Sequence, residues 1–398
     1  MTGNGRWAWG FGLVATGLAV GLAGQQAPTF RSTAELVVVD ATVVTRDGTP
    51  IEDLRLNEFE VSINGQRRAV VSAEFVRLTG AVPDDPDTAV SHPRVDGTPA
   101  GRLIVIAIDE HSVPPGAQAA AREAAARIVD GADPADTLAL VAMPGPLSVG
   151  PTRDHAAVRA AVGRVAGRRV DAPRVSTGLS PSELVALRAR ESVTTAELLG
   201  RACGVDAGCR QAAIQEATFV ADALEQQGLL TISGLRGVLE TLANVPGRKH
   251  LFLVSAGLPT STTAGGRPNL TAETLNIARS AAEANVSLYV FYLNIHFLQS
   301  FSVATGWRSP SAVYDDTSFF ANGLERFADS GGGSFFQVEV DADPFVRRAF
   351  RETAAAYVIA VRADPKDRDG RDHHIRVSVS RRDAVVRHRR VIRMPSGS

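Results

Sequence analysis

The stretch RLIVIAIDEHSVPPG, residues 102–116, decides how the chain is read. Its run LIVIAI has no polar residue to turn toward water, so it suits a strand in the middle of a sheet covered on both faces, the setting of parallel strands. That strand delivers Asp109 and Glu110 to its C-terminal end, and Pro114 and Pro115 then favour the first turn of a helix. A carboxylate in this place lies where open α/β sheets bind their ligands. The stretch therefore raises one question: whether Asp109 is the first ligand of a metal site or what remains of one.

Downstream, apolar runs alternate with alanine-rich helical segments. A helix is expected over about 116–129, then the strand DTLALVAM and a helix at DHAAVRAAVGRV. A long, mostly helical insertion is expected over 171–244, followed by the strand entry GRKHLFLVSAG. TAETLNIARSAAEAN and VSLYVFYLN read as a helix and strand, and GLERFADSGGGSFFQV as a helix, a glycine turn and a short strand. This alternation predicts an α/β domain over 102–355 with a Rossmann-like, doubly wound, mostly parallel sheet.

The flanks follow a different period. Residues 30–80 carry alternating β-branched runs broken by RDGTP and NG, both turn signals, and are expected to form a small β domain. Residues 81–101 are rich in Pro, Asp and Gly and read as a linker. Residues 356–398 return to alternating strands, most simply buried against the N-terminal ones.

Composition bounds the function. Charge is balanced, with 42 basic and 43 acidic residues in 398, so no electrostatic footprint for nucleic acid is present. The basic run RRDAVVRHRRVIR reads as an edge strand whose charges discourage edge-to-edge pairing. Residues 1–27 place Arg6 before an apolar, small-residue stretch and read as a secretory signal with Gly21, Leu22 and Ala23 at its cleavage site. The alternative is a retained anchor, the one route by which a membrane becomes a partner. Either reading puts the folded part outside the cytoplasm, where Cys203 and Cys209 are expected to close a small disulfide loop.

The segments ELVVVDATVVTRDGTPIEDLRLNEFEV, RLIVIAIDE, LETLANVPGRKHLFLVSAGLP and FADSGGGSFF…AAAYVIAV, in that order, resemble the von Willebrand factor A-related proteins of Acidobacterial type, over about residues 34–394. The resemblance implies an A-type domain with a metal-ion-dependent adhesion site above the C-terminal strand ends. In that family the first loop reads Asp-x-Ser-x-Ser, a second supplies Thr, and a third an Asp in a Ser-Asp-Gly-like turn. Such a donor set suits Mg²⁺, which takes hard oxygens and keeps several waters.

This chain departs from that pattern. Asp109 matches the first ligand, but His111 and Val113 occupy the serine positions, with Ser112 between them, and Ala256 replaces the acidic ligand after Ser255. For the threonine, Thr152 is the nearest position and Thr231 another. Three further readings attach to the loop. Asp109 and Glu110 could share a cation with Asp154; His111 could take a softer metal; or Asp109 or Ser112 simply caps the helix begun by the prolines. The capping reading is preferred, so the adhesion site is expected to be degenerate and metal-free, with Mg²⁺ or another divalent cation the one cofactor left open.

No nucleophile elbow, P-loop or dinucleotide fingerprint occurs in its required context, and an enzyme is not expected. The expectation is an exported protein-interaction module whose protein partner docks on loops 109–115, 144–154 and 255–263, through Asp109, Glu110, His111, Ser112, Thr152, Asp154 and Ser255. The competing reading is an envelope scaffold that uses the β unit and the helical insertion.

Overall fold

Tyr357 holds the N-terminal strands to the C-terminal ones. Its hydroxyl donates to Ile51 O at 3.0 Å and accepts from Leu54 N at 3.1 Å, so the PIEDL turn wraps around a buried phenol contributed from more than 300 residues away. The turn lies between β1 (Leu36–Val44) and β2 (Phe59–Ile63); β3 (Gln66–Arg68) and β4 (Val70–Arg77) complete this end of the chain. The structure is a computed structural model describing residues 36–78, 101–170, 177–189, 192–261, 266–295, 297 and 310–394. The expected signal at 1–27, and residues 81–100 of the expected linker, lie outside the described residues.

The stretch 102–116 forms β5 (Leu103–Asp109), buried at every position but the first. It is followed by α1 (Gln118–Asp130), β6 (Thr137–Met143), β7 (Ser148–Thr152), α2 (His155–Val162), α3 (Pro181–Ala189), α4 (Ser192–Cys203) and α5 (Ala207–Ala243). Next come β8 (Lys249–Ser255), α6 (Thr271–Glu283), β9 (Val286–Leu293), α7 (Pro310–Ser330), β10 (Phe335–Val338) and α8 (Asp343–Glu352). The sheet order is β10-β9-β8-β5-β6-β7, parallel throughout except for β7, which turns back antiparallel on β6. Strand order reverses between β5 and β8, so the Rossmann-like switch point lies between Asp109 and Ser255.

Both faces of this sheet are covered. Ile104, Ile106, Phe252, Tyr289 and Phe291 pack under α1, α2 and α8, where the alanines of α1 let the helix lie close. Val105, Leu251, Leu253, Leu288 and Val290 pack under α5, α6 and α7. The first half of α5 instead packs with α3 and α4 around Leu184, Leu187, Leu198 and Val220, and Cys203 and Cys209 form the disulfide that joins α4 to α5. In SGGGS, a Cβ at Gly333 would stand 1.9 Å from Leu288 O, so the glycines serve close packing on β9.

The chain ends in β11 (Ala355–Arg362), β12 (Asp372–Val379), β13 (Val385–His388) and β14 (Val391–Arg393). They combine with the N-terminal strands in two antiparallel sheets, β13-β1-β11-β4 and β14-β12-β2-β3. One apolar core, including Val39, Val43, Phe59, Val61, Ile359, Val361, Ile375 and Val377, lies between them. His373 is buried and His374 exposed, as alternation along a strand requires. Among the described residues no helix is long and apolar enough to cross a membrane.

Candidate functional site

Asp109 ends β5 and is fully buried. Its Oδ2 accepts from Ser255 Oγ at 2.8 Å and from Thr231 Oγ1 at 3.0 Å. Ser112 Oγ donates back to Asp109 O at 2.9 Å, lies 3.2 Å from Ser255 Oγ, and accepts from Ala256 N at 2.7 Å. One carboxylate and three hydroxyls, from β5, its following loop, α5 and β8, thus meet at the switch point, each at most 1% exposed.

Thr231 was legible only as one of two threonine positions, because its partner stands 122 residues away. It faces Asp109 because the second half of α5 lies along the sheet, with Thr231, Ile232, Leu235 and Leu239 all buried. Ser112, out of register in the linear motif, reaches the cluster because the loop turns back on Asp109 through Ser112 N to Asp109 O at 3.2 Å.

The capping reading is overturned. α1 begins at Gln118 with Ala117 as its N-cap and no side-chain cap, while the hydroxyl of Ser112 and the carboxylate of Asp109 are bonded across the switch point. Pro114 and Pro115 precede the helix rather than start it.

The remaining site residues go elsewhere. Glu110, also buried, accepts from Ala166 N at 2.7 Å and Arg168 Nε at 2.6 Å, pinning residues 166–168 over the loop. His111 is half-buried. Thr152 pairs with Leu138, five residues down β6 from Met143, the neighbour of Asp109. At about 3.3 Å per residue this is roughly 17 Å toward the opposite end of the sheet. Asp154 is at that end too, capping α2 through Ala157 N at 3.0 Å. Neither residue joins Asp109, which removes loop 144–154 as a single docking surface at the C-terminal edge and Asp154 as a co-ligand.

The crevice itself is covered. Residues 255–260 are buried; Leu258 N donates to Phe320 O on α7, and a Cβ on Gly323 would stand 2.4 Å from Leu258 O. Residues 262–263 of the third expected loop lie outside the described residues.

The donors do not suit a hydrated divalent cation. They include one carboxylate, all four side chains are sealed from solvent, and two hydroxyl protons are already committed to Asp109 Oδ2. No group of three or more His, Cys, Asp or Glu able to hold a metal occurs among the described residues. Asp109 Oδ1 is buried without a hydrogen-bond partner. Burial raises the Asp109 pKa against the opposing pull of Ser255, Thr231 and Ser112, so the site favours a proton.

Compared with known proteins, the chain matches no family model, and no curated protein sequence is similar to it.

Proposed function

We propose that the chain is an exported, non-enzymatic protein-interaction module of the von Willebrand factor A type whose adhesion site has become a metal-free structural lock. The observation that carries this reading is the cluster of Asp109, Ser112, Thr231 and Ser255 at the switch point, where an A-type site would stand, with Ala256 in place of its second acid. The disulfide supports an oxidising compartment.

With the crevice covered, partner contact shifts to the helical insertion. Phe219 is 53% and Leu230 44% exposed on α5, and Val205 is 97% exposed between the two cysteines. Exposed large apolar side chains grouped on one element favour protein contact. A photo-cross-linking residue placed at Phe219 or Leu230 is expected to give partner adducts in the producing cell, and one at Pro115 on the crevice rim none. Adducts at Pro115 alone would restore the crevice as the docking surface.

A cation-binding reading has one observation in its favour, the unpartnered Asp109 Oδ1. Calorimetric titration with Mg²⁺, Mn²⁺ and Ca²⁺ is expected to show no saturable heat. Saturable binding that is lost in Asp109→Ala would replace the lock with a working metal site.

A further inference from the structure

The N-terminal edge of the central sheet holds a second buried polar cluster, against the β unit. Arg102 and Arg248 immediately precede β5 and β8, which pair Leu103 with Lys249, so the two arginines enter the sheet side by side. Arg248, just before β8, and His250 and Phe252 on it alternate onto one face; the His250 and Tyr289 rings are 6.1 Å apart and those of Phe252 and Tyr289 5.3 Å. The β unit closes over them with Thr42 of β1, which accepts from Arg248 Nη2 at 3.1 Å, and with Arg387 of β13.

Charge in this seam does not cancel. Arg102 is neutralised by Asp136 at 2.6 Å. Glu352, which also accepts from Ser334, meets Arg348 at 3.0 Å and Arg387 at 3.2 Å, and Arg389 lies 3.8 Å from Asp40. Arg248 has no carboxylate within ion-pair reach among the described residues; its neighbour is a threonine hydroxyl.

Among the described residues, four buried polar atoms of this seam are left without hydrogen-bond partners: Arg248 Nη1, Tyr289 Oη, His250 Nδ1 and Arg387 Nε, the last 3.2 Å from a Glu352 oxygen. Tyr289 is 0% and His250 1% exposed. The first two are donors, and the imidazole nitrogen is a donor in one tautomer. Unsatisfied buried donors beside an unpaired guanidinium are costly, and one small anion would satisfy both deficits.

We infer that this seam binds a single small monovalent anion of the chloride class, held by Arg248, Tyr289 and His250 between the α/β sheet and the β unit. The Arg248 guanidinium has no carboxylate partner among the described residues and a single negative charge would match it, whereas a phosphate would bring a second negative charge close to Glu352. The anion would fasten the sheet to the strands of both chain termini, independently of the Asp109 cluster at the opposite end. Burial and the Arg248 and Arg102 charges hold His250 neutral, which leaves the cationic role to Arg248.

Crystals of the intact protein grown in sodium bromide test this. The expected result is an anomalous bromide peak within hydrogen-bonding reach of Arg248 Nη1 and Tyr289 Oη; ordered density without anomalous signal would identify a water and overturn the proposal. In solution, the melting temperature is expected to rise saturably with chloride or bromide against gluconate at constant ionic strength, and Tyr289→Phe, which keeps the ring and removes one donor, to weaken that rise. A melting temperature indifferent to the anion would equally overturn it. If Tyr289→Phe does not fold, the wild-type bromide crystal decides alone.

Discussion

Ser255 donates to Asp109 across the switch point at 2.8 Å, tying the ends of two neighbouring parallel strands together at the place where such sheets usually open to a ligand. Thr231 adds α5 to the same oxygen, so the acid joins three elements.

The raised pKa of this acid makes stability pH-dependent. Burial raises the folded-state pKa of Asp109 above the unfolded value of about 3.9, so folding favours the protonated form. The resulting stabilisation is complete below the unfolded pKa and is lost as pH rises through the folded one. Asp109→Asn cannot titrate, so its urea midpoint relative to wild type is expected to move in the variant's favour between pH 4 and pH 8. Asp109→Ala leaves two buried hydroxyls without their acceptor and is expected to cost about 1–3 kcal/mol at pH 4, and less at pH 8, where wild type has lost the stabilisation of its protonated acid. A constant difference between wild type and Asp109→Asn across this range would mean that Asp109 stays ionised.

The Arg102–Asp136 pair offers a stability test at the opposite end of β5. The guanidinium is 4% and the carboxylate 0% exposed; contacts of 2.6 and 3.1 Å join them, and Arg102 Nη1 also reaches Thr353 Oγ1 at 2.8 Å. Removing one member strands a buried charge, so Arg102→Met is expected to cost about 3–5 kcal/mol by denaturant unfolding. Pairing it with Asp136→Asn should recover part of that loss. A double variant no more stable than Arg102→Met would show that Arg102 acts through its packing on Phe350, whose ring centroid lies 4.9 Å away.

How much of this was legible follows from the range over which each signal acts. LIVIAI announces a central parallel strand because burial on both faces leaves a continuous apolar run, a property of the strand itself. The antiparallel edge β7 was hidden because Ser148-Val-Gly-Pro-Thr reads locally as a turn. The N-terminal part of α7 was missed for a related reason: PSAVYDDTSFFAN is a polar mixture whose burial is settled by contacts with the loop after β8. In the candidate site, Asp109 and Ser255 were found as strand ends. Ser112 was read as out of register and Thr231 as the second of two threonine positions, because a loop turning back and a helix crossing set their places and neither leaves a fixed spacing. Thr152 and Asp154 were misplaced because the unseen β7 carries them back down the sheet.

Gly323 sets how closely α7 approaches the covered crevice. A Cβ there would meet Leu258 O at 2.4 Å and the Leu258 side chain at 2.9 Å, and the first contact is backbone that cannot rotate away. Gly323→Ala is therefore expected to destabilise by about 1–3 kcal/mol despite the better helix propensity of alanine. It should also speed amide exchange at Leu258, whose N–H bonds to Phe320 O. Exchange at Leu258 equal to that of wild type would mean that α7 and the loop are not held by this contact.

The Cys203–Cys209 bridge is expected to stabilise the helical insertion without supporting the sheet. It closes a loop with a sequence separation of 6, for which chain-entropy reasoning gives about 2 kcal/mol. The surrounding apolar cluster of Leu184, Leu187, Leu198 and Val220 is separate from the two cores that cover the sheet. Replacing both cysteines by serine should raise amide exchange in α4 and the first turns of α5, while β5 and β8, buried on both faces, keep their protection. Equal loss of protection in β5 would show that the insertion and the sheet unfold as one cooperative unit. The exposed Val205, Phe219 and Leu230 would then depend for their presentation on the whole domain, with the disulfide contributing no local support of its own.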